Sequence, residues 1–174
     1  MSDLRVGIGV DAHALDESVP LVLAGVEFPG EPGLSGHSDG DVVAHALIDA
    51  LLGAAGLGDI GELFPSGDPE WRGASSLLLL ERAYAAIRGA GFELVNADCI
   101  LIGERPRIAP RRDAMRASLS AALGAPPDRI AVRATTTDGL GFTGREEGLA
   151  AQAVALVRRV EGVAEETVTA ESHA

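Results

Sequence analysis

The chain has 174 residues, an apolar fraction of 47% and a formal charge of −12 at neutral pH. This length suits a single domain with a proper hydrophobic core. The strong negative charge argues against nucleic acid as a partner, because nucleic-acid affinity depends on cations that neutralise phosphates. The same charge repels small polyphosphates, so any phosphate chemistry here requires metals and local hydrogen-bond donors.

The single cysteine, Cys99, excludes an internal disulfide and fits a reducing compartment. The sequence has no signal-peptide pattern and no apolar run of about 18 residues, the length needed for a membrane helix. We therefore expect a soluble, cytoplasmic protein without a membrane partner.

Strand-like and helix-like segments alternate along the chain. The first part of the sequence predicts a strand at Leu4–Val10, a hairpin over Leu21–Phe28 that turns near Gly25, a loop over 29–36 and a helix over Asp39–Ala55. The middle part predicts a long loop over Asp59–Pro69 with room for a short helical turn, a helix over Ser75–Arg88, a strand over Phe92–Ile102 and a loop at Gly103–Arg107. The last part predicts a helix over Pro110–Leu123, a strand at Ile130–Ala134, a Gly/Thr-rich loop over Thr135–Arg145 and a helix over Arg145–Val160. This order indicates an α/β sandwich in which helices cover one face of a mixed four-stranded sheet, with a small additional hairpin. Residues 1–160 would form one domain, and the acidic segment 161–174 is expected to be disordered, with no role for His173.

The stretch from His37 to His45 is the centre of this arrangement. Ser38 and Asp41 have the spacing of a capping box, and an apolar helical run follows at once. Free N–H groups at such a helix start would attract an anion such as phosphate. His45 and Asp49 share one face of this buried helix and therefore need polar partners there.

Asp11 and His13 supply candidate partners for His45. They follow the first predicted strand at positions i and i+2, so their side chains project to the same side. One carboxylate and two imidazoles with a position left open form a catalytic type of zinc site. The alternative is that the histidines are hydrogen-bonded core residues. Asp41 and Asp49 could each orient an imidazole, although Asp41 could equally be a helix N-terminal acid.

For several other candidate residues a simple structural interpretation stands beside the functional one. His37 lies next to the helix start and could donate to a phosphate, or it could be an ordinary loop residue. Thr135 to Asp138 offer hydroxyls and a carboxylate suited to phosphate oxygens and Mg²⁺, or they form a polar turn. Asp59 lies between glycines, where aspartate is more often a turn former than a ligand.

Several motifs occur together in a fixed order. They are Asp-x-His after the first strand, His-Ser-Asp-Gly-Asp-x-x-x-His, Leu-Leu-Gly-Ala-Ala-x-Leu-Gly-Asp-Ile-Gly, Phe-Pro-x-x-Asp-Pro, Ala-Thr-Thr-Thr-x-x-Leu-Gly-Phe-Thr-Gly-Arg and Glu-Gly-Leu-Ala. The ordered set, which covers residues 5 to 158, resembles the 2-C-methyl-D-erythritol 2,4-cyclodiphosphate synthase family of the non-mevalonate isoprenoid pathway.

The resemblance implies a metal-dependent enzyme, a phosphorus–oxygen lyase. It would convert 4-diphosphocytidyl-2-C-methyl-D-erythritol 2-phosphate to the cyclic diphosphate and CMP. It also implies a homotrimer whose active sites are completed across subunit interfaces. Asp11, His13 and His45 would hold Zn²⁺ or another divalent transition metal, while Asp138 would hold Mg²⁺ or Mn²⁺ together with the substrate phosphates.

The remaining site residues are also implied by the resemblance alone. His37 and Thr136 would stabilise the transition state. The substrate would be bound by Ser38, Asp59, Ile60, Gly61, Phe64, Pro65, Ser66, Gly67, Asp68, Gly103, Glu104, Arg105, Pro106, Arg107, Ile108, Ala109, Thr135, Thr137, Phe142 and Arg145.

The chain departs from the family pattern at a few positions. Asp138 stands where the family usually has Glu, Arg107 replaces a usual Lys, and Ser66-Gly67 replaces a usual Asp-Thr. Two other functions stay open at this point. One is a metal-dependent phosphohydrolase that acts on a nucleotide-linked polyol, and the other is a non-catalytic trimer that binds isoprenoid diphosphates.

Overall fold

The structure is a computed structural model that describes residues 3–160. It contains a mixed β-sheet with helices packed on one face. Its elements are β1 (Leu4–Leu23), β2 (Val26–Leu34), α1 (Val42–Ala55), α2 (Ile60–Leu63), α3 (Ser76–Gly89), β3 (Phe92–Ile102), α4 (Arg112–Leu123), β4 (Ile130–Thr135), α5 (Gly141–Gly144) and β5 (Gly148–Arg159). Short 3₁₀ turns occupy Pro69–Trp71, Ala109–Arg111 and Pro127–Arg129.

The sheet has five strands in the order β2-β1-β5-β3-β4. Strands β3 and β4 run parallel, and all other neighbouring pairs are antiparallel. The prediction of a mixed sheet is confirmed, but the predicted count of four strands is wrong. The predicted hairpin also belongs to this sheet, since β1 is long enough to pair with β5 through its first half and with β2 through its second.

The predicted helix over Arg145–Val160 is wrong, because Gly148–Arg159 forms the central strand β5. This segment is rich in alanine and leucine, which favour helices when they are judged locally. As a central strand it has neighbours on both edges, and most of its residues are buried. It therefore lacks the polar–apolar alternation by which a half-buried strand is recognised in a sequence.

The predicted loop over 29–36 is also wrong for most of its length, since β2 continues to Leu34. Pro29, Gly30, Pro32 and Gly33 made this segment resemble a loop. β2 lies at the edge of the sheet, and an edge strand tolerates proline because one row of its backbone groups is unpaired. The turn at Ala24–Gly25 agrees with the predicted hairpin.

Helix α1 lies directly on β1 and fixes the position of His45. A Cβ atom at Gly7 would be 2.0 Å from the Ala50 carbonyl oxygen, and one at Gly9 would be 2.0 Å from the Ala46 carbonyl oxygen. Only glycine allows the two backbones to approach so closely. The contact brings the first turn of α1 next to the middle of β1, where Asp11 and His13 lie.

The face of the sheet opposite α1 is apolar and exposed. Its side chains include Leu4, Val6, Ile8 and Val10 of β1, which are 54% to 68% exposed, and Val154 of β5. A contiguous apolar surface of this kind usually marks a protein–protein contact.

Within residues 3–160 no helix is both long and apolar enough to cross a membrane. The predictions for the segment 161–174 and for His173 lie outside the described residues.

Candidate active site

Asp11, His13 and His45 converge at one point where β1 meets α1. The Oδ2 atom of Asp11 is 2.9 Å from His45 Nδ1 and 3.0 Å from His13 Nε2, and the two nitrogens are 3.4 Å apart. Ligand atoms in a tetrahedral site with bonds of about 2.0 Å lie about 3.3 Å from one another. The three atoms therefore have the chemistry and the spacing that a divalent metal requires.

The outer nitrogens of both imidazoles are held by hydrogen bonds. His13 Nδ1 donates to the carbonyl oxygen of Ser35 over 2.6 Å, which leaves its Nε2 to face Asp11. His45 Nε2 is 2.9 Å from the hydroxyl of Ser76 and 3.0 Å from that of Ser38. Such outer contacts are typical of histidines that bind metals.

The electrostatics of the three residues favour a positive charge between them. Burial of Asp11 opposes its ionisation, but its hydrogen bonds with His13 and His45 outweigh this effect and lower its pKa below the ordinary range. The hydrogen bond with Asp11 raises the pKa of His13, with burial acting in the opposite direction. The site thus keeps a carboxylate that attracts either a proton or a metal cation.

A cavity of about 390 Å³ opens beside these residues. Its lining comprises Asp11, His13, His37, Ser38, His45, Ile60, Gly61, Phe64, Pro65, Ser66, Gly67, Trp71 and Leu79. The Nε2 atom of His37 is buried and has no hydrogen-bond partner within the described part of the chain. A buried polar atom that lines a cavity in this state is suited to a polar ligand.

A second cavity, also of about 390 Å³, lies beyond the ends of β3 and β4. Its lining comprises Gly103, Glu104, Pro106, Arg107, Ile108, Ala109, Arg112, Ala134, Thr135 and Thr136. The Glu104 carboxylate accepts hydrogen bonds from the backbone N–H groups of Thr137 (3.1 Å) and Gly139 (3.3 Å). Glu104 thus joins the two loops that border this cavity. The two cavities have no lining residue in common.

Several predicted substrate residues face elsewhere. Asp59 and Asp68 lie outside both linings, and each caps a short helix by accepting a backbone N–H. Arg145 forms an ion pair with Glu147 over 2.9 Å. Phe142 is 42% exposed on α5. Arg105 also lies outside both linings and pairs with Glu31.

Asp138 adopts a left-handed backbone conformation, with φ of 52°. Its carboxylate accepts a hydrogen bond from the Thr136 hydroxyl over 3.2 Å. Aspartate is enriched in this backbone conformation relative to most residues, which gives a local reason for the short side chain here.

The predicted capping box at Ser38 is wrong, because Asp41 itself caps α1. Its carboxylate accepts from the N–H groups of Val43 and Ala44, and also from Ala24 and Gly25 in the β1–β2 turn. The carboxylate already occupies the position predicted for a phosphate at this helix start. Of the two readings for Asp41, the helix N-terminal acid is the one observed.

Asp49 does not orient an imidazole as one hypothesis required. Its carboxylate accepts the backbone N–H of Ile60 over 2.8 Å and so anchors the start of α2 to α1. This contact positions the segment that carries Ile60 and Gly61 in the wall of the first cavity.

Sequence reasoning gave no site role to Trp71 and Leu79, which line the first cavity, or to Ser76 and Asp39, which lie beside it. Trp71 lines the first cavity and makes an edge-on contact with Phe64, with ring centroids 5.1 Å apart. Its status as the only tryptophan was a usable signal. Ser76 and Asp39 lie close to His45 only in the folded chain, and their sequence positions gave no indication of this.

Comparisons with known proteins identify the family of the chain and agree with its fold. Residues 4–158 match the model of the YgbB family, and the chain belongs to this family. A 2-C-methyl-D-erythritol 2,4-cyclodiphosphate synthase from Moorella thermoacetica is 54% identical over 154 residues, which are 88% of this chain and 94% of that protein.

Solved structures show the same likeness. The bifunctional IspDF of Campylobacter jejuni superposes with a TM-score of 0.88 at 44% identity, covering 91% of this chain and 43% of that longer protein. A 2C-methyl-D-erythritol-2,4-cyclodiphosphate synthase in its CDP-bound form superposes with a TM-score of 0.80 at 43% identity, covering 88% of this chain and 99% of that one.

Proposed function

We propose that this chain converts 4-diphosphocytidyl-2-C-methyl-D-erythritol 2-phosphate to 2-C-methyl-D-erythritol 2,4-cyclodiphosphate and CMP. The observation that carries the proposal is the convergence of Asp11, His13 and His45 beside a cavity, in a chain 54% identical to a synthase of this name. The CDP bound to a related structure supports a cytidyl diphosphate as substrate.

The reaction transfers a phosphoryl group within one molecule. An oxygen of the 2-phosphate forms a bond to the β-phosphorus, and the bond from that phosphorus to the oxygen of the α-phosphate breaks. CMP leaves with this oxygen, so water contributes no atom and the enzyme is a phosphorus–oxygen lyase. Holding both phosphates of one bound molecule in reacting geometry can lower the barrier by about 7–11 kcal/mol.

Asp11, His13 and His45 would hold Zn²⁺ or a similar divalent metal, and Asp138 would hold Mg²⁺ or Mn²⁺ with the substrate phosphates. These ions, when bound, neutralise and polarise the phosphate oxygens. The residues of the chain contribute to the reaction first by holding the ligand groups in position. The Asp11 carboxylate and the two imidazoles lie at the first cavity, and the Ser35 carbonyl holds His13 in place.

His37 and Thr136 would donate hydrogen bonds to phosphate oxygens as negative charge develops on them. The buried, unpartnered Nε2 of His37 supports this role for the first residue. Thr136 lines the second cavity near Asp138. The methylerythritol phosphate would occupy the first cavity, against Ile60, Gly61 and Phe64, and the cytidine would occupy the second.

The arrangement of the two cavities supports an active site shared between subunits. Each cavity carries part of the machinery, and no residue lines both. The exposed apolar face around Val6, Ile8 and Val10 offers a surface through which copies of the chain can associate as a homotrimer. Association would place the first cavity of one subunit beside the second cavity of its neighbour.

The decisive experiment incubates the purified chain with the cytidyl substrate and Mg²⁺ and follows the products by phosphorus NMR. We expect the cyclic diphosphate and CMP to appear in equal amounts. His45→Ala is the matched variant, and we expect it to lose both bound zinc and nearly all turnover while the subunit assembly persists.

Two other outcomes would point to other functions. Incorporation of oxygen from labelled water into a product would indicate a phosphohydrolase. Stoichiometric binding without CMP release would indicate a non-catalytic binding protein. Full turnover by a zinc-free His45→Ala variant would contradict the role given to the metal site.

A further inference from the structure

The hydroxyl of Ser76 connects His45 to a second carboxylate, that of Asp39. Ser76 Oγ is 2.9 Å from His45 Nε2 and makes a short hydrogen bond to Asp39 Oδ1. The backbone N–H of Ser76 also donates to Asp39 Oδ2 over 2.9 Å. Ser76 is completely buried and His45 is 8% exposed, so water does not compete for these contacts.

The direction of these hydrogen bonds follows from the number of protons. A carboxylate only accepts, so the single hydroxyl proton of Ser76 is directed to Asp39. The oxygen of Ser76 then has only lone pairs to offer to His45 Nε2, and this nitrogen must carry the ring proton. In the neutral imidazole the other nitrogen, Nδ1, then keeps its lone pair, which is what a metal held together with Asp11 and His13 would require of it.

Ser38 shows why this direction matters. Its hydroxyl is 3.0 Å from the same Nε2 atom and has no carboxylate partner within the described residues. If the Ser38 hydroxyl were the donor, Nε2 would lose its proton and Nδ1 would carry it, which blocks metal binding. The Asp39–Ser76 pair selects against that tautomer.

We propose that Asp39 and Ser76 act as positioning residues that hold His45 in its metal-binding tautomer. This inference rests on the proposed metal site and adds two residues to it. Asp39 acts through Ser76, and neither residue belongs to the three candidate ligands or to the lining of the first cavity.

The test measures zinc affinity of the full chain by competition with a chromophoric chelator. Ser76→Ala removes the acceptor, and Asp39→Asn lets an amide donate to Ser76 so that the hydrogen bonds can reverse. We expect each variant to lower zinc affinity by about 10- to 100-fold, the usual effect of losing an outer partner of a metal-binding histidine. Ser75→Ala is the matched control, because Ser75 is exposed, makes no side-chain capping bond and should stay within about twofold of wild type.

A double variant separates this role from a general structural one. If Asp39 acts through Ser76, the combined Asp39→Asn and Ser76→Ala chain should lose no more zinc affinity than Ser76→Ala alone. Thermal unfolding with a chelator present records any loss of fold stability separately. If Ser76→Ala fails to fold, Asp39→Asn decides the test, because asparagine keeps the shape of the aspartate side chain and one of its oxygens.

The outcomes distinguish the positioning role of Asp39 and Ser76 from the proposed metal site on which it rests. A wild-type chain that takes up no zinc overturns the metal site and the positioning role together. A wild-type chain that binds zinc while Ser76→Ala and Asp39→Asn bind it equally well overturns only the positioning role. Losses that simply add in the double variant would also overturn it.

Discussion

Asp41 links the β1–β2 turn to helix α1, and Asp41→Asn tests how much stability this link contributes. The residue is completely buried. Its carboxylate accepts four backbone N–H groups, from Ala24 (2.8 Å), Gly25 (2.7 Å), Val43 (3.1 Å) and Ala44 (3.1 Å). Oδ1 accepts three of these groups and Oδ2 accepts the one from Gly25.

Asparagine cannot satisfy this arrangement in either orientation. With its oxygen in the Oδ1 position, its NH₂ group faces the Gly25 N–H, so two donors oppose each other. With the amide rotated, the NH₂ group faces three donors. Losing one charge-assisted hydrogen bond and leaving a donor unpaired lowers the free energy of unfolding by about 3 kcal/mol. For a chain of this size that corresponds to a fall in Tm of about 6–12 °C.

Thermal unfolding followed by far-UV circular dichroism, at matched protein concentration and with a chelator present, measures this change. The control is Asp68→Asn, because Asp68 is exposed and its carboxylate accepts a single N–H within residues 3–160, that of Glu70. We expect the control to melt close to wild type. If Asp41→Asn melts within about 2 °C of wild type, the four hydrogen bonds do not carry the stability assigned to them.

Three further predictions concern other parts of the chain. Glu104→Ala should weaken binding of CDP by about 5- to 30-fold in calorimetry, because the loop that holds Thr137 and Gly139 loses its acceptor, while unchanged CDP affinity would contradict this role. Asp138→Glu should keep or raise the affinity for Mg²⁺, measured by titrating turnover with Mg²⁺, because the carboxylate is retained and only one methylene is added at a backbone conformation that slightly favours aspartate. If the variant no longer uses Mg²⁺, the proposed role of Asp138 in holding this ion is wrong. Burial raises the pKa of Cys99 to about 12, so a thiol reagent at mildly alkaline pH should label the unfolded chain but not the folded one, and equal labelling rates would refute this burial.

Much of the fold could be predicted where local signals agree with the final environment. Helix α1 was found because it has a long apolar run that ends in Gly56-Leu57-Gly58, and α3 and β3 matched closely. Local signals failed where tertiary context overrides them. The alanines of β5 favour a helix in isolation, yet Ala151, Ala153 and Ala155 are completely buried in the central strand.

The candidate site divides in the same way. The sequence was enough to propose Asp11, His13 and His45. A strand places residues i and i+2 on one side, and the motif His-Ser-Asp-Gly-Asp-x-x-x-His supplied the second histidine. Contacts between segments that are distant in the sequence could not be predicted. Asp39 and Ser76 are 37 positions apart, and no spacing rule relates a loop residue to the start of a later helix.

The sequence by itself therefore determined which residues are candidate metal ligands and to which family the chain belongs, since short ordered motifs specify both. Only the tertiary structure decided which hydrogen bonds hold those side chains. It also decided that the Asp41 carboxylate binds the β1–β2 turn and caps the start of α1, and that the candidate residues line two separate cavities. The physical reason is that ligand chemistry belongs to each residue, whereas proton direction and cavity shape belong to atoms that the fold brings together from far along the chain.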